Sequence, residues 1–158
     1  MRSIVLLGLI ACGDPGPASF GDPLDDPQLP PRGAVDLPVG LEAGAYNAWA
    51  CEAAAHPPRA GSGHGPNRIC SNDALVAAAE LAGEFPPGAA AVKEVFDGDG
   101  AIAAYAVYRK LTETAGGDSW YWFEGTRDDN VANGPGDDTC TGCHGRAPRD
   151  FVYTVVAP

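Results

Sequence analysis

Cys140-Thr141-Gly142-Cys143-His144 constrains this chain more than any other stretch, because it dictates what a single turn of backbone must carry. On a helical turn, Cys140 and His144 stand at i and i+4 on one face, and Cys143 lies beside them. Two thiols placed so can add across the two vinyl groups on one edge of a porphyrin. The same turn then presents an imidazole to the iron. The pattern is the attachment signature of a c-type haem, with Cys140 and Cys143 as thioether donors and His144 as the proximal iron ligand. Asp138 or Thr139 is expected to cap the turn. Cysteines at this spacing also open many zinc sites, but zinc needs further ligands, and the only other cysteines past residue 12 are Cys51 and Cys70.

The opposite end of the chain points to the same compartment chemistry. Met1-Arg2-Ser3 is a short positive start, and residues 4–11 form an apolar run too short to span a bilayer as a mature helix. Residues 1–11 therefore read as a signal peptide. Its end, Leu9-Ile10-Ala11-Cys12, resembles a bacterial lipobox, which implies that Cys12 is acylated and becomes the mature N-terminus. Several acyl chains give firm attachment where one would be marginal. Ordinary secretion with a stray cysteine is the plainer alternative. Both readings take the protein out of the cytoplasm, as an exported lipoprotein of the periplasm or cell envelope on the first.

Residues 13–40 contain seven prolines, five glycines and five aspartates. Such a segment buries too little apolar surface to offset its ordering entropy, so 12–40 reads as a tether. Residues 41–158 are then one domain by size. The full chain carries a net charge of −11. That balance leaves no electrostatic footprint for nucleic acid or anionic lipid headgroups, so membrane contact is expected through the anchor alone. It suits solubility, and it is compatible with a basic external redox partner.

Within the domain, Leu41, Ala45, Ala48, Trp49 and Glu52 recur at helical spacing, which predicts a helix over 41–55 ended by His56-Pro57-Pro58. A Gly-rich loop holding His64 follows over 59–68. A second helix is expected over 73–82, capped by Ser71 or Asn72 and stopped by Gly83. Beyond a turn at 84–88, the segments 89–97, 101–110, 119–124 and 151–156 are rich in Val, Ile, Tyr, Phe and Trp and read as strands. Asp97-Gly98-Asp99-Gly100 reads as a hairpin turn between the first two. Residues 127–139 read as a mobile polar loop. The expected fold is α+β: N-terminal helices, then a mainly antiparallel sheet that carries one covalent c-type haem.

Five cysteines divide into Cys12 for acylation, Cys140 and Cys143 for thioethers, and a leftover pair, Cys51 and Cys70, which should be disulfide-bonded outside the cytoplasm. The only methionine is Met1, removed with the signal peptide, so the mature chain lacks the His/Met ligation of electron-carrying cytochromes c. Candidates for the sixth position are His56, His64, Lys93, Lys110 or nothing. Open iron is the most economical of these, and open iron binds small ligands or does chemistry on them.

Several further stretches, in this order, resemble the cytochrome P-460 family: His64-Gly65-Pro66, Asn72-Asp73, Phe85-Pro86-Pro87-Gly88, Ala91-Val92-Lys93-Glu94, Tyr108-Arg109-Lys110, Trp120-Tyr121-Trp122-Phe123, the Cys140–His144 turn and Asp150-Phe151-Val152. The resemblance covers roughly residues 49–153. It implies an antiparallel sheet, a homodimer and a single covalent haem. In members that oxidise hydroxylamine, it also implies a strand lysine bonded to the porphyrin edge. The matching residue here is Lys93. A related branch, cytochrome c′-beta, lacks the bond and binds nitric oxide or carbon monoxide.

Strand alternation gives Lys93 a face with Ala89, Ala91 and Val95 that is nearly free of bulk, leaving room for a flat macrocycle. A solvated lysine that blunts a sheet edge is the plainer reading of Lys93. Arg109 is a candidate partner for a haem propionate or for Glu94. Three functions stay open: a monohaem protein that binds or oxidises hydroxylamine or nitric oxide, a non-enzymatic nitric oxide binder, and an electron carrier with bis-His or His/Lys ligation.

Overall fold

The structure, a computed structural model, describes residues 36–158; the signal peptide, Cys12 and most of the tether lie outside the described residues. A six-stranded antiparallel meander forms the fold's centre, each strand pairing with its neighbours in sequence. The strands are β1 (Ala50–Cys51), β2 (Asn67–Ser71), β3 (Ala90–Phe96), β4 (Ile102–Lys110), β5 (Trp120–Gly125) and β6 (Asn130–Pro135). Among the described residues three short α-helices complete it: α1 (Asp36–Glu42), α2 (Asp73–Ala77) and α3 (Asp138–His144). The architecture is α+β with an antiparallel sheet.

Period-2 alternation along β3, β4 and β5 gives the sheet two apolar faces, and each has its own cover. On one face Val92, Val107, Tyr121 and Phe123 pack with Leu37, Leu41, Tyr46 and Trp49. On the other, Ile69, Ala91, Trp120 and Trp122 pack with Leu75, Phe85 and Val152.

Several elements differ from the sequence reading. The first helix is α1, not 41–55, and it starts inside the proline-rich stretch because Leu37 and Leu41, at i and i+4, are both 1% exposed in the core. It ends in a Schellman motif. Ala45 N–H bonds to Gly40 O and Gly44 N–H to Leu41 O, with Gly44 at φ +73. A Cβ at Gly44 would sit 2.2 Å from the Asn47 side chain. Residues 50 and 51 are then drawn into β1 rather than helix.

α2 starts at the expected cap. Asn72 Oδ1 accepts from Leu75 N–H and from Ala90 N–H, both at 3.0 Å, so one side chain binds the helix start to β3. The helix closes after one turn, at Ala77 rather than 82. Arg149 takes over there, donating to the carbonyls of Ala78, Ala79 and Gly83.

The expected strand over 151–156 is an irregular strap: Phe151, Val152, Val155 and Val156 pack down onto the sheet instead of pairing beside it. Asp150 and Phe151 have φ of 39° and 66°, outside the extended region a strand requires. β6 forms inside the expected loop over 127–139, and β2 begins in the last two residues of the expected loop over 59–68. β6 is a polar edge strand, and its proline stands at the terminal pair opposite Tyr121, where an edge tolerates it. The β3–β4 hairpin turns at 97–101 as expected, with Asp97 Oδ1 accepting from Asp99 N–H and Ala101 N–H.

Candidate functional site

α3 lies against β6, and its motif residues look into a cavity of about 770 Å³. The volume falls within the roughly 300–1,000 Å³ typical of ligand pockets. Asp137, rather than Asp138 or Thr139, caps the helix, its Oδ1 accepting from Thr139 N–H at 3.0 Å. Cys140, Cys143 and His144 all line the cavity, and both thiols are free. Burial, with Glu124, Asp137 and Cys143 nearby, pushes the Cys140 thiol up to about 12.

The sheet floor is built by register. Lys93 stands opposite Ile69 on β2 and Ala106 on β4, and Ala106 in turn opposes Glu124 on β5. The next row runs Ala91, Tyr108, Trp122. Ala91 and Ala106 leave the middle of this floor shallow, as the alternation of β3 suggested, while Tyr108 and Trp122 wall one end. The loop carrying Arg59 and His64 closes another side.

His144 is held by its ring and by its nitrogen. Its Nδ1 lies 2.7 Å from Phe151 O. A carbonyl can only accept, so Nδ1 carries the proton and Nε2 keeps its lone pair for a ligand. Trp122, Tyr153 and Tyr108 surround the imidazole at 4.8, 5.4 and 5.9 Å between centroids. Burial lowers its pKa, favouring the neutral, ligating form.

Lys93 lies half-buried in the same cavity, and desolvation, assisted by Arg59, lowers its amine from 10.5 to about 8. Across the floor, His64 Nδ1 and Glu124 Oε1 are 3.1 Å apart. The His64 contact holds the Glu124 carboxyl below its usual range against the opposing effect of burial.

The remaining candidates lie elsewhere. His56 is tied to Glu52 at 3.1 Å and to Pro57 O, away from the cavity wall. Lys110 is fully buried against Asp150 at 2.7 Å. Of the four side chains considered for a sixth position, only His64 and Lys93 line the cavity. Arg109 alternates onto the opposite sheet face, over the ring of Tyr121 and away from the cavity, whereas Arg59 and Arg146 are the guanidinium groups that line it. Glu94 is taken by Arg68, through two bonds of 2.7 Å, and by Tyr46 at 2.6 Å. Cys51 and Cys70 are joined across β1 and β2, so neither is available to complete a zinc site with the motif cysteines.

Two thiols and a correctly protonated imidazole on one helical turn, above a shallow apolar floor, fit a thioether-bound haem. Sequence reasoning missed Glu124 and the Phe151 carbonyl. Glu124 is 60 residues from His64, and only the strand register brings the two together. No protein-family model matches the chain, and no curated protein matches it significantly.

Proposed function

We propose that this chain is an exported, membrane-tethered monohaem c-type cytochrome of the P-460 type. In this reading it binds or oxidises small nitrogen species, hydroxylamine or nitric oxide, at an open iron. The observation that carries the reading is the convergence of Cys140, Cys143, His144 and a depressed Lys93 amine on one cavity. Cys140 and Cys143 would hold the porphyrin by its vinyl groups, and His144 Nε2 would ligate the iron. Haem, when bound, supplies an open coordination position and accepts electrons.

The chain's own groups do the rest. The Phe151 carbonyl fixes the His144 tautomer. Lys93, neutral far more often than a solvated lysine, is suited to approach or bond an apolar macrocycle edge. Glu124, kept ionised by His64, offers a base for a proton from an N–H or O–H bond of the ligand. Electrons would leave to an external acceptor, and the chain's net charge of −11 suits a basic one. Acylation at Cys12 and a homodimer belong to the same reading.

The test is the optical spectrum of the exported protein. A mostly high-spin ferric spectrum, nitric oxide binding and hydroxylamine-dependent reduction of an added acceptor are expected. A low-spin spectrum that turns high-spin in His64→Ala would favour the electron carrier. Nitric oxide binding without turnover would favour the gas binder.

A further inference from the structure

The proposed function leaves unused a buried cluster outside the cavity lining, where the end of β4 meets the strap. Lys110 Nζ donates to Asp150 Oδ2 at 2.7 Å, Asp150 Oδ1 at 2.9 Å, Ser119 Oγ at 2.9 Å and Thr114 O at 3.0 Å. The side chains of Lys110 and Asp150 are 0% and 1% exposed. Asp150 also accepts from Phe85 N–H at 2.8 Å and Trp120 Nε1 at 3.1 Å. Its donors come from β4, β5 and the turn at 84–88, and that turn also brings Glu84 Oε2 to 3.6 Å from Lys110 Nζ.

A buried ion pair is a poor way to stabilise a core, because desolvating two charges cancels much of their attraction. Phe85 and Trp120 pack around the pair but also donate to Asp150, so an apolar pair here would strand those two donors. The cluster does something an apolar pair cannot. Asp150 and Phe151 both have positive φ, 39° and 66°, a conformation that side chains with a Cβ adopt only when the surroundings impose it. Anchoring the Asp150 carboxylate imposes it. The outcome is that the next carbonyl, Phe151 O, points at His144 Nδ1 from 2.7 Å.

We infer that the Lys110–Asp150 pair is a positioning device for the iron-ligating imidazole, acting through the Phe151 carbonyl. The inference rests on the proposed function. Lys110 and Asp150 touch neither iron nor ligand; they set how strongly Nδ1–H is held, and so how good a donor Nε2 is. Loosening the strap weakens that bond, makes the imidazole a weaker donor and favours ferrous iron.

The experiment uses the exported holoprotein and two readouts: the iron–imidazole stretching frequency of the ferrous form by resonance Raman, and the midpoint potential. Asp150→Asn and Lys110→Met should both lower the frequency and move the potential positive, with the thioethers intact. If Lys110→Met does not fold, Asp150→Asn, which keeps the shape, still decides. Glu94→Gln is the comparison, since Glu94 is a buried carboxylate paired with Arg68 and Tyr46 on the opposite sheet face. It should lose stability without moving either readout. Unchanged frequency and potential in Asp150→Asn would overturn the inference and leave the pair a structural clamp, as would equal shifts in Glu94→Gln. Wild-type protein exported without thioether haem would instead overturn the proposed function, and this inference with it.

Discussion

Lys93 and Lys110 are the only lysines in the chain, so the acidity of Lys93 can be measured without ambiguity. Burial first, and the Arg59 guanidinium second, lower its amine from 10.5 to about 8. At pH 7 a group with that pKa is neutral in about one molecule in ten, against roughly one in three thousand for an unperturbed lysine. The nucleophilic population is thus raised about 300-fold. Competitive acylation of the haem-free chain across a pH series, read by peptide mass spectrometry, should give half-maximal reactivity of Lys93 near pH 8. Lys110, locked against Asp150, should stay unreactive in the folded state.

Two substitutions move the midpoint in opposite directions. Arg59→Met removes a cation that lowers the pKa and should raise it, by an amount solvent screening keeps small; Glu124→Gln removes an anion that raises the pKa and should lower it further. The stability linkage has a definite sign. The folded pKa lies below the unfolded one, so between about pH 8 and 10.5 the unfolded chain binds more protons, and the Lys93 contribution to stability rises with pH across that window. Half-maximal reactivity close to 10.5 would refute the reasoning, and would remove the physical basis for a Lys93 bond to the porphyrin edge.

Replacing both Cys51 and Cys70 by Ala opens a loop with a sequence separation of 19 and should cost roughly 3 kcal/mol in urea unfolding; a loss under about 1 kcal/mol would be contrary to it. Glu124 has a depressed folded pKa, so its contribution to stability is present above its ordinary value of 4.5 and is lost as pH falls through the lower folded value. Glu124→Gln should therefore flatten the acid limb of stability against pH, and an unchanged limb would show that the His64 contact does not hold in solution.

The elements that were legible are those whose signal is local. The α3 turn, the strands β3, β4 and β5, the Asp97 hairpin and the Asn72 cap all declare themselves within a few residues. α1 was displaced because the alanine-rich period over 41–55 looked like a helix, whereas Leu37 and Leu41 supply the buried pair and Gly44 ends the helix. β6 carries almost no strand propensity; it forms because β5 offers it a free edge. The strap over 151–156 has strand-like residues but a backbone bent at Asp150 and Phe151 by contacts from Lys110, Trp120 and Phe85.

The same division holds for the site. The three motif residues and the face of Lys93 follow from helix and strand periods. The partners of His64 and Lys110 lie 60 and 40 residues away, and that of His144 depends on the bend at Asp150 and Phe151; no local pattern encodes any of them.

The most direct test of the account is the mass of the exported, acid-denatured protein, followed by its haem-carrying peptide. The expected result is the mature chain plus one haem that survives acid-acetone extraction, on a peptide containing Cys140, Cys143 and His144. A mass equal to the unmodified mature chain, or a haem lost to acid-acetone, would contradict it.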